Sequence, residues 1–252
     1  IGASFNATRT PFDDPRVRKA LSLAVDHDAY LQLVTGGDGG TGMVGGFSPP
    51  GAKFSLTTEE LRKLPGYQTS SSDTLSSAEA LLEAAGISPG FKLSILVRGD
   101  VPVWVNSALF FQDQWSKLGL DVKIEQAEFG TSISRMLKGD FDVRIGGIAF
   151  NTPDPDQFLF APFSSEGPNH MYYPSDPETD RLLAAQRFEL NIGLRRELVQ
   201  KAEVRLITEV VPSIVGHYTI FLNGVRKEVR GWVPRDFMLY NQSRMDTIWL
   251  QN

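Results

Sequence analysis

The distribution of apolar and polar positions predicts a strand, a helix and a second strand in the middle of the chain. Residues 91–97 form a mostly apolar run, and residues 121–125 alternate between apolar and polar side chains. Residues 100–118 lie between them, carry apolar side chains at helical spacing and stop before Gly119. This order predicts a βαβ unit with two parallel strands.

The same periodicities predict further strands and helices on both sides of this unit. Strands are expected at residues 2–6, 141–145 and 212–222. Asp14 and Pro15 are typical of a helix start, and Asp26 indicates a second, short helix. The fold class is therefore α/β, with a sheet flanked by helices.

Four more helices are expected after a long irregular region. Residues 35–73 are rich in glycine and proline and predict little regular structure. A capping box at residues 76–79 predicts a helix that ends at Gly86. Helices are also expected around residues 132–137, after residues 176–177 and over residues 194–206.

Composition narrows the possible functions. The chain has 252 residues and a net charge of -5, which argues against a nucleic-acid-binding protein with a basic face. It contains no cysteine, so disulfides, thiol nucleophiles and thiolate metal sites are excluded. No apolar run approaches the length of a membrane-spanning helix.

The sequence offers little support for catalysis or for a cofactor. Glycine-rich residues 36–46 match a dinucleotide motif literally, but they follow a helix and lead into a proline turn, which favours a flexible loop. The three histidines, His27, His170 and His217, are far apart and lack the local spacing of a zinc site. No nucleophile elbow is present. We therefore expect neither an enzyme nor a bound cofactor.

A candidate ligand site follows the predicted strand at 141–145. Gly147 permits close approach of a ligand to the backbone, Phe150 offers an apolar face, and Asn151 supplies a donor and an acceptor. Ligands of open α/β sheets bind beyond the carboxyl ends of strands. Asp154 and Asp156 resemble paired catalytic carboxylates, but a helix cap followed by a first-turn acid is the preferred interpretation.

Other candidate residues lie near the end of strand 91–97 and further along the chain. Arg98 and Trp104 are placed at the same sheet edge, where Arg98 would pair with a ligand carboxylate or phosphate or remain a solvated surface residue. Tyr173 is equally compatible with a ligand-site wall and with packing. Arg144 alternates to the face opposite its apolar neighbours and is left out of the predicted site.

Several segments, taken together and in order, resemble one known protein family. Residues 5–6 are FN, and residues 11–28 read PFDDPRVRKALSLAVDHD, with His27 at a position usually held by arginine. Residues 78–86 read AEALLEAAG, residues 114–122 read QWSKLGLDV, and residues 139–142 read GDFD. This pattern resembles the extracytoplasmic solute-binding proteins of the peptide/opine/nickel class, which serve oligopeptide-type ABC importers.

The resemblance implies a fold and a domain arrangement. It implies a type II, cluster C periplasmic-binding-protein-like lobe with a mixed sheet, forming the C-terminal half of a two-lobed receptor. Residues 1–10 would be a hinge strand, residues 11–212 the second ligand-binding lobe, and residues 213–252 a hinge strand and tail that return to the missing N-terminal lobe. Tail aromatics would then lack their packing partner and be exposed, disordered or engaged in a crystal dimer; they are Trp232, Phe237, Tyr240 and Trp249.

The resemblance also implies a function, partners and a location. The protein would capture a small solute between its lobes and deliver it to a membrane permease with its ATPase, in the periplasm. The present sequence begins without a signal peptide. Peptide binders of this family hold the ligand's ammonium group with an acid at the place of Asn151, so a ligand other than a free peptide, such as an opine-like or sugar-like compound, is expected. A small alignment shift would give that role to Asp154.

Two alternatives remain open at this point. One is a hydrolase that uses His217 or His170, and the other is a receptor module that signals to a partner. A base in contact with a nucleophile would favour the hydrolase.

Overall fold

The computed structural model describes residues 1–37, 40, 42–69, 71–148, 152, 154–220, 224–233 and 245–251. In chain order, the strands are β1 (Gly2–Phe5), β2 (Gly42–Met43), β3 (Lys92–Arg98), β4 (Asp121–Ala127), β5 (Val143–Gly146), β6 (Ser213–Val215), β7 (Tyr218–Thr219), β8 (Val229–Arg230) and β9 (Trp249–Leu250). Within these ranges no helix is long and apolar enough to cross a lipid bilayer.

Nine α-helices surround the strands in the described part of the chain. They are α1 (Pro15–Leu23), α2 (His27–Tyr30), α3 (Thr58–Leu61), α4 (Ser72–Ala84), α5 (Pro102–Ser116), α6 (Phe129–Leu137), α7 (Ala161–Phe163), α8 (Pro177–Phe188) and α9 (Ile192–Arg205). π-Helical turns extend three of these segments; they are Leu31–Thr35, Asp156–Phe160 and Leu206–Val210.

The main sheet has five strands in the order β4-β3-β5-β1-β6. Strand β3 pairs in parallel with β4 and β5, which confirms the predicted βαβ unit around α5. Strand β1 runs antiparallel to both of its neighbours, β5 and β6. Strands β3, β4, β5 and β6 therefore all end at one edge of the sheet, where β1 begins.

One face of the sheet packs on the larger apolar core. Val143 and Ile145 of β5 point into this core, where Trp115 of α5 is fully buried and donates from Nε1 to the Leu21 carbonyl at 2.9 Å. A second core joins α8 and α9 to the segment 47–67, with Leu183 and Val199 fully buried. Helices α1, α4 and α5 cover one face of the sheet, and α6 and residues 156–173 lie against the other.

Arg18 joins α1 to the end of the third π-helical turn. The side chain is 2% exposed, and its guanidinium donates to the carbonyls of Phe12, Asp13, Val210 and Val211. Burial lowers the pKa of Arg18 to about 10, so the side chain stays charged near neutrality.

Several predicted element boundaries differ from the structure. The capping box belongs to Ser71 and Thr74 rather than to residues 76–79, so α4 starts six residues earlier than the predicted first helical residue, Ala78. The single strand expected over 212–222 is divided into β6 and β7, because the Gly216 and His217 amides both turn to donate to the Ile1 carbonyl. Trp249 is 56% exposed on the antiparallel β8–β9 pair, Trp232 is half-buried, and Phe237 and Tyr240 lie outside the described residues.

Candidate functional site

The carboxyl ends of the parallel strands form the edge at which the sequence places a ligand. Trp104, in the first turn of α5, lies beside Gly147, which follows β5: its ring is 3.7 Å from the point that a Gly147 Cβ would occupy. The Ile1 side chain is 3.6 Å from the same point. The missing side chain at Gly147 thus leaves an open backbone position between two apolar groups.

Arg98 is held at this edge by neighbouring side chains. Its guanidinium carbon lies 5.3 Å from the Trp104 ring centroid and 4.7 Å from the Phe129 ring centroid. The Asp100 carboxylate accepts from Nε at 3.0 Å and from Nη2 at 2.6 Å, which raises the pKa of Arg98 and lowers the pKa of Asp100. A ligand carboxylate at Arg98 would have to compete with Asp100.

A cleft of about 350 Å³ opens next to Gly147, on the face of the sheet opposite the larger core. Gly147 and Tyr173 both line it, so these two predicted residues share one cavity. The Tyr173 hydroxyl lies 3.4 Å from Ser4 Oγ, and its ring packs on Phe163 at 5.0 Å. Tyr173 therefore both packs and forms part of the wall.

Arg144 also lines this cleft, and the sequence analysis missed it. The alternation of β5 correctly places Arg144 on the face opposite Val143 and Ile145. The segment carrying Tyr172 and Tyr173 covers that face and makes it a cavity wall. No signal in the strand itself reports a covering segment about 30 residues further along the chain.

Asp154 is tied to α9 rather than to the cleft. It accepts from the Asp156 amide at 3.0 Å, as a helix cap does, and its two oxygens accept from Arg195 at 3.0 and 3.1 Å. Asp156 in turn accepts from Gln186 at 2.6 Å and from Arg187 at 2.8 Å. The favoured interpretation of this pair as a cap and a first-turn acid fits these contacts, and both acids anchor the loop to α8 and α9.

The remaining predicted ligand residues, Phe150 and Asn151, lie outside the described residues. Their roles stay predictions from the sequence.

His217 and His170 each lie near a hydroxyl group. His217 is buried, its Nδ1 lies 3.1 Å from the Tyr30 hydroxyl, and burial lowers its pKa to about 4. His170 Nε2 lies 3.4 Å from the exposed Ser175 hydroxyl, while its Nδ1 is buried without a hydrogen-bond partner among the described residues. This contact is long and lacks the third group that orients a catalytic histidine. Within the described ranges, no three His, Asp or Glu side chains cluster closely enough to hold a metal ion.

The chain is similar to known proteins in both sequence and structure. The chain is 29% identical over 241 residues to the dipeptide-binding protein of Escherichia coli K12, an alignment that covers 91% of this chain and 42% of the relative. The chain thus spans less than half of that relative's length. It superimposes on the structure of HbpA2 from Haemophilus parasuis with a TM-score of 0.78 and 26% identity, covering all of this chain and 48% of that one.

A third relative was solved with a bound dipeptide. The dipeptide-binding protein of Pseudoalteromonas sp. SM9913 in complex with Met-Leu matches with a TM-score of 0.74 and 25% identity, over 99% of this chain and 48% of that chain. These likenesses confirm the periplasmic-binding-protein fold. The family described as bacterial extracellular solute-binding proteins, family 5 Middle, matches residues 2–170, which is two thirds of the chain. The chain therefore belongs to family 5 of the bacterial extracellular solute-binding proteins.

Proposed function

We propose that the chain is part of the substrate-binding component of an oligopeptide-type ABC importer and captures a small solute. The observation that carries the proposal is the cleft of about 350 Å³ beside Gly147, at the carboxyl edge of the sheet, in a chain of the solute-binding family. The volume lies in the lower part of the range typical of ligand pockets, roughly 300–1,000 Å³. Capture of this kind breaks no bond in the solute.

Residues 11–212 would form one of two lobes, and the solute would lie between them. Strands β1 and β6, which pair side by side, would connect this lobe to the other one. A solute that contacts both lobes stabilises the closed arrangement over the open one, because only the closed arrangement provides both sets of contacts. The closed protein would then dock on a membrane permease that works with an ATPase, in an extracytoplasmic compartment.

The chemistry of the solute's amino end is the more specific part of the proposal. Relatives of this chain bear names such as dipeptide-binding protein and heme-binding protein A, so the family alone leaves the ligand open. Asn151 is neutral and cannot provide the charge-assisted hydrogen bond that a free ammonium group favours. We therefore expect a solute whose amino end is blocked or absent, such as an opine-like compound.

The test is mass spectrometry of the small molecules that co-purify with the protein at its natural length, followed by calorimetry. Met-Leu and N-acetyl-Met-Leu are the matched probes. We expect Met-Leu to bind no more tightly than its acetylated form, and Asn151→Asp to shift the preference toward free Met-Leu. Tight binding of unmodified Met-Leu with strong loss on acetylation would contradict the proposed ligand class. Absence of any captured solute would contradict the binding function itself.

A further inference from the structure

We propose that the Arg144 guanidinium is the carboxylate-binding group of the cleft and that the solute is a small organic acid with an apolar part. This inference rests on the proposed function, because it names the chemical class taken by the same site. Arg144 lies on β5, half-buried, with Ser4 of β1 and Leu96 of β3 as its neighbours across the sheet.

The charges of the residues that line the cleft are not balanced. Arg144 is the only Lys, Arg, Asp or Glu among the described residues that line the cleft. No carboxylate in the described part of the chain lies within 4.0 Å of its guanidinium, whereas Arg98 and Arg135 each have an acidic partner at 3.0 Å or less. A half-buried guanidinium is stabilised by a bidentate anion, and the residues that the structure describes supply none at this position.

The Arg144 side chain is directed along β5. The Arg144 Nη1 atom is 2.6 Å from the point where a Cβ at residue 146 would stand, so the guanidinium lies over Gly146. Gly146 is the last residue of β5. The charged group is therefore directed along the strand to the carboxyl edge, where ligands of such sheets bind. Gly146 makes this arrangement possible because any larger residue would displace the guanidinium.

The walls of the cleft are mostly apolar. Phe141 and Tyr172 pack edge to face at 5.4 Å, and Met136 and Met171 complete an apolar wall. Asn169 and Gln157 add two amides among them. A single cation in a mostly apolar cavity suits a solute that carries one carboxylate on an apolar body.

The experiment uses N-acetyl-leucine and its neutral counterpart N-acetyl-leucinamide as probes. Arginine Nε–Hε resonances of the chain are recorded by NMR, and the Arg144 signal is assigned by its loss in Arg144→Gln. We expect the acid, and not the amide, to shift the Arg144 signal in a saturable manner at millimolar concentration. Arg144→Gln should weaken calorimetric binding of the acid about tenfold or more.

Two further variants separate position from charge. Gly146→Ala keeps Arg144 but displaces its guanidinium, so it should also weaken binding of the acid while the fold, measured by circular dichroism, is retained. Arg181→Gln removes an exposed arginine that pairs with Glu178 on α8, and should leave binding unchanged.

Three outcomes would overturn the inference. They are no shift of the Arg144 signal at millimolar acid, an equal shift by the amide, or undiminished acid binding in folded Arg144→Gln. If Arg98→Gln abolishes binding of the acid while Arg144→Gln does not, the carboxylate site is at Arg98. The proposed function fails separately: a protein of natural length that captures no solute, yet binds N-acetyl-leucine at Arg144, would contradict solute capture but support Arg144 as a carboxylate-binding group.

Discussion

Replacement of Arg18 by methionine tests whether the hydrogen bonds of its buried guanidinium stabilise the fold by joining α1 to the segment that ends at Val211. Methionine keeps most of the side-chain volume and removes all five donated hydrogen bonds, which reach carbonyls of Phe12, Asp13, Val210 and Val211. The perturbed contacts join the start of α1 to the end of the π-helical turn Leu206–Val210. We expect the free energy of unfolding to fall substantially.

The magnitude follows from the groups left without a donor. Each buried carbonyl that loses its partner costs about 1–3 kcal/mol. Phe12, Val210 and Val211 are all at most 6% exposed, so water cannot replace the guanidinium at these three carbonyls. The loss is partly offset, because burial of a charge lacking a carboxylate partner is itself unfavourable, as the lowered pKa of Arg18 indicates. The net expectation is about 3–5 kcal/mol.

Urea unfolding, followed by circular dichroism and tryptophan fluorescence, measures this loss. The matched control is Arg16→Met on the same helix, where an exposed arginine pairs with Asp14 and donates to the Ala84 carbonyl, and the expected loss is much smaller. Equal stabilities of the Arg18→Met and Arg16→Met variants would refute the reasoning. Loss of the folded state in Arg18→Met, with Arg16→Met intact, would support it.

Three further predictions concern buried polar groups. Burial lowers the pKa of His27 to about 4, so below pH 6.5 the unfolded state binds more protons than the folded state. The free energy of unfolding should therefore fall by about 2–3 kcal/mol between pH 7 and 4.5. The urea midpoints of His27→Phe should lack this part of the fall. Burial raises the pKa of Glu203, so stability should decline as pH rises above the ordinary carboxyl range, and Glu203→Gln should flatten that slope in the same assay. Asn6→Ala removes donors to the Gly139 and Phe141 carbonyls at 2.9 and 3.1 Å, and thermal or urea unfolding should show a loss of about 2–4 kcal/mol; a loss under 1 kcal/mol would contradict it.

The motif that carries the family resemblance has a structural role in this lobe. Asp14 caps α1 and Pro15 occupies its first turn, Arg18 binds four carbonyls, and Asp26 caps α2. Asn6, from the FN pair, joins β1 to the turn before β5. These contacts explain why the motif specifies the fold: local caps and short-range patterns are readable in one sequence, and they position the strands.

The candidate site was only partly predictable for a physical reason. The rule that ligands bind at carboxyl ends of strands correctly brought Arg98, Trp104 and Gly147 to one edge. Pairing partners are not readable in the same way, because they depend on rotamers and on distant segments. Arg98 is already paired with its near neighbour Asp100, whereas Asp154 meets Arg195 from a helix 40 residues away.

Arg144 shows how a correct periodicity can leave out a residue that lines a cavity. Alternation along a strand divides its side chains between two faces, and in a sheet with one wet face the polar set belongs to solvent. Here the second face is itself covered, by the segment that carries Tyr172 and Tyr173, so the polar set faces a cavity instead. A half-buried arginine on such a face, directed over Gly146 and without an acid within reach in the described part of the chain, is costly unless an anion joins it. The polar face of β5 is therefore the place to test the proposed binding of an acidic solute.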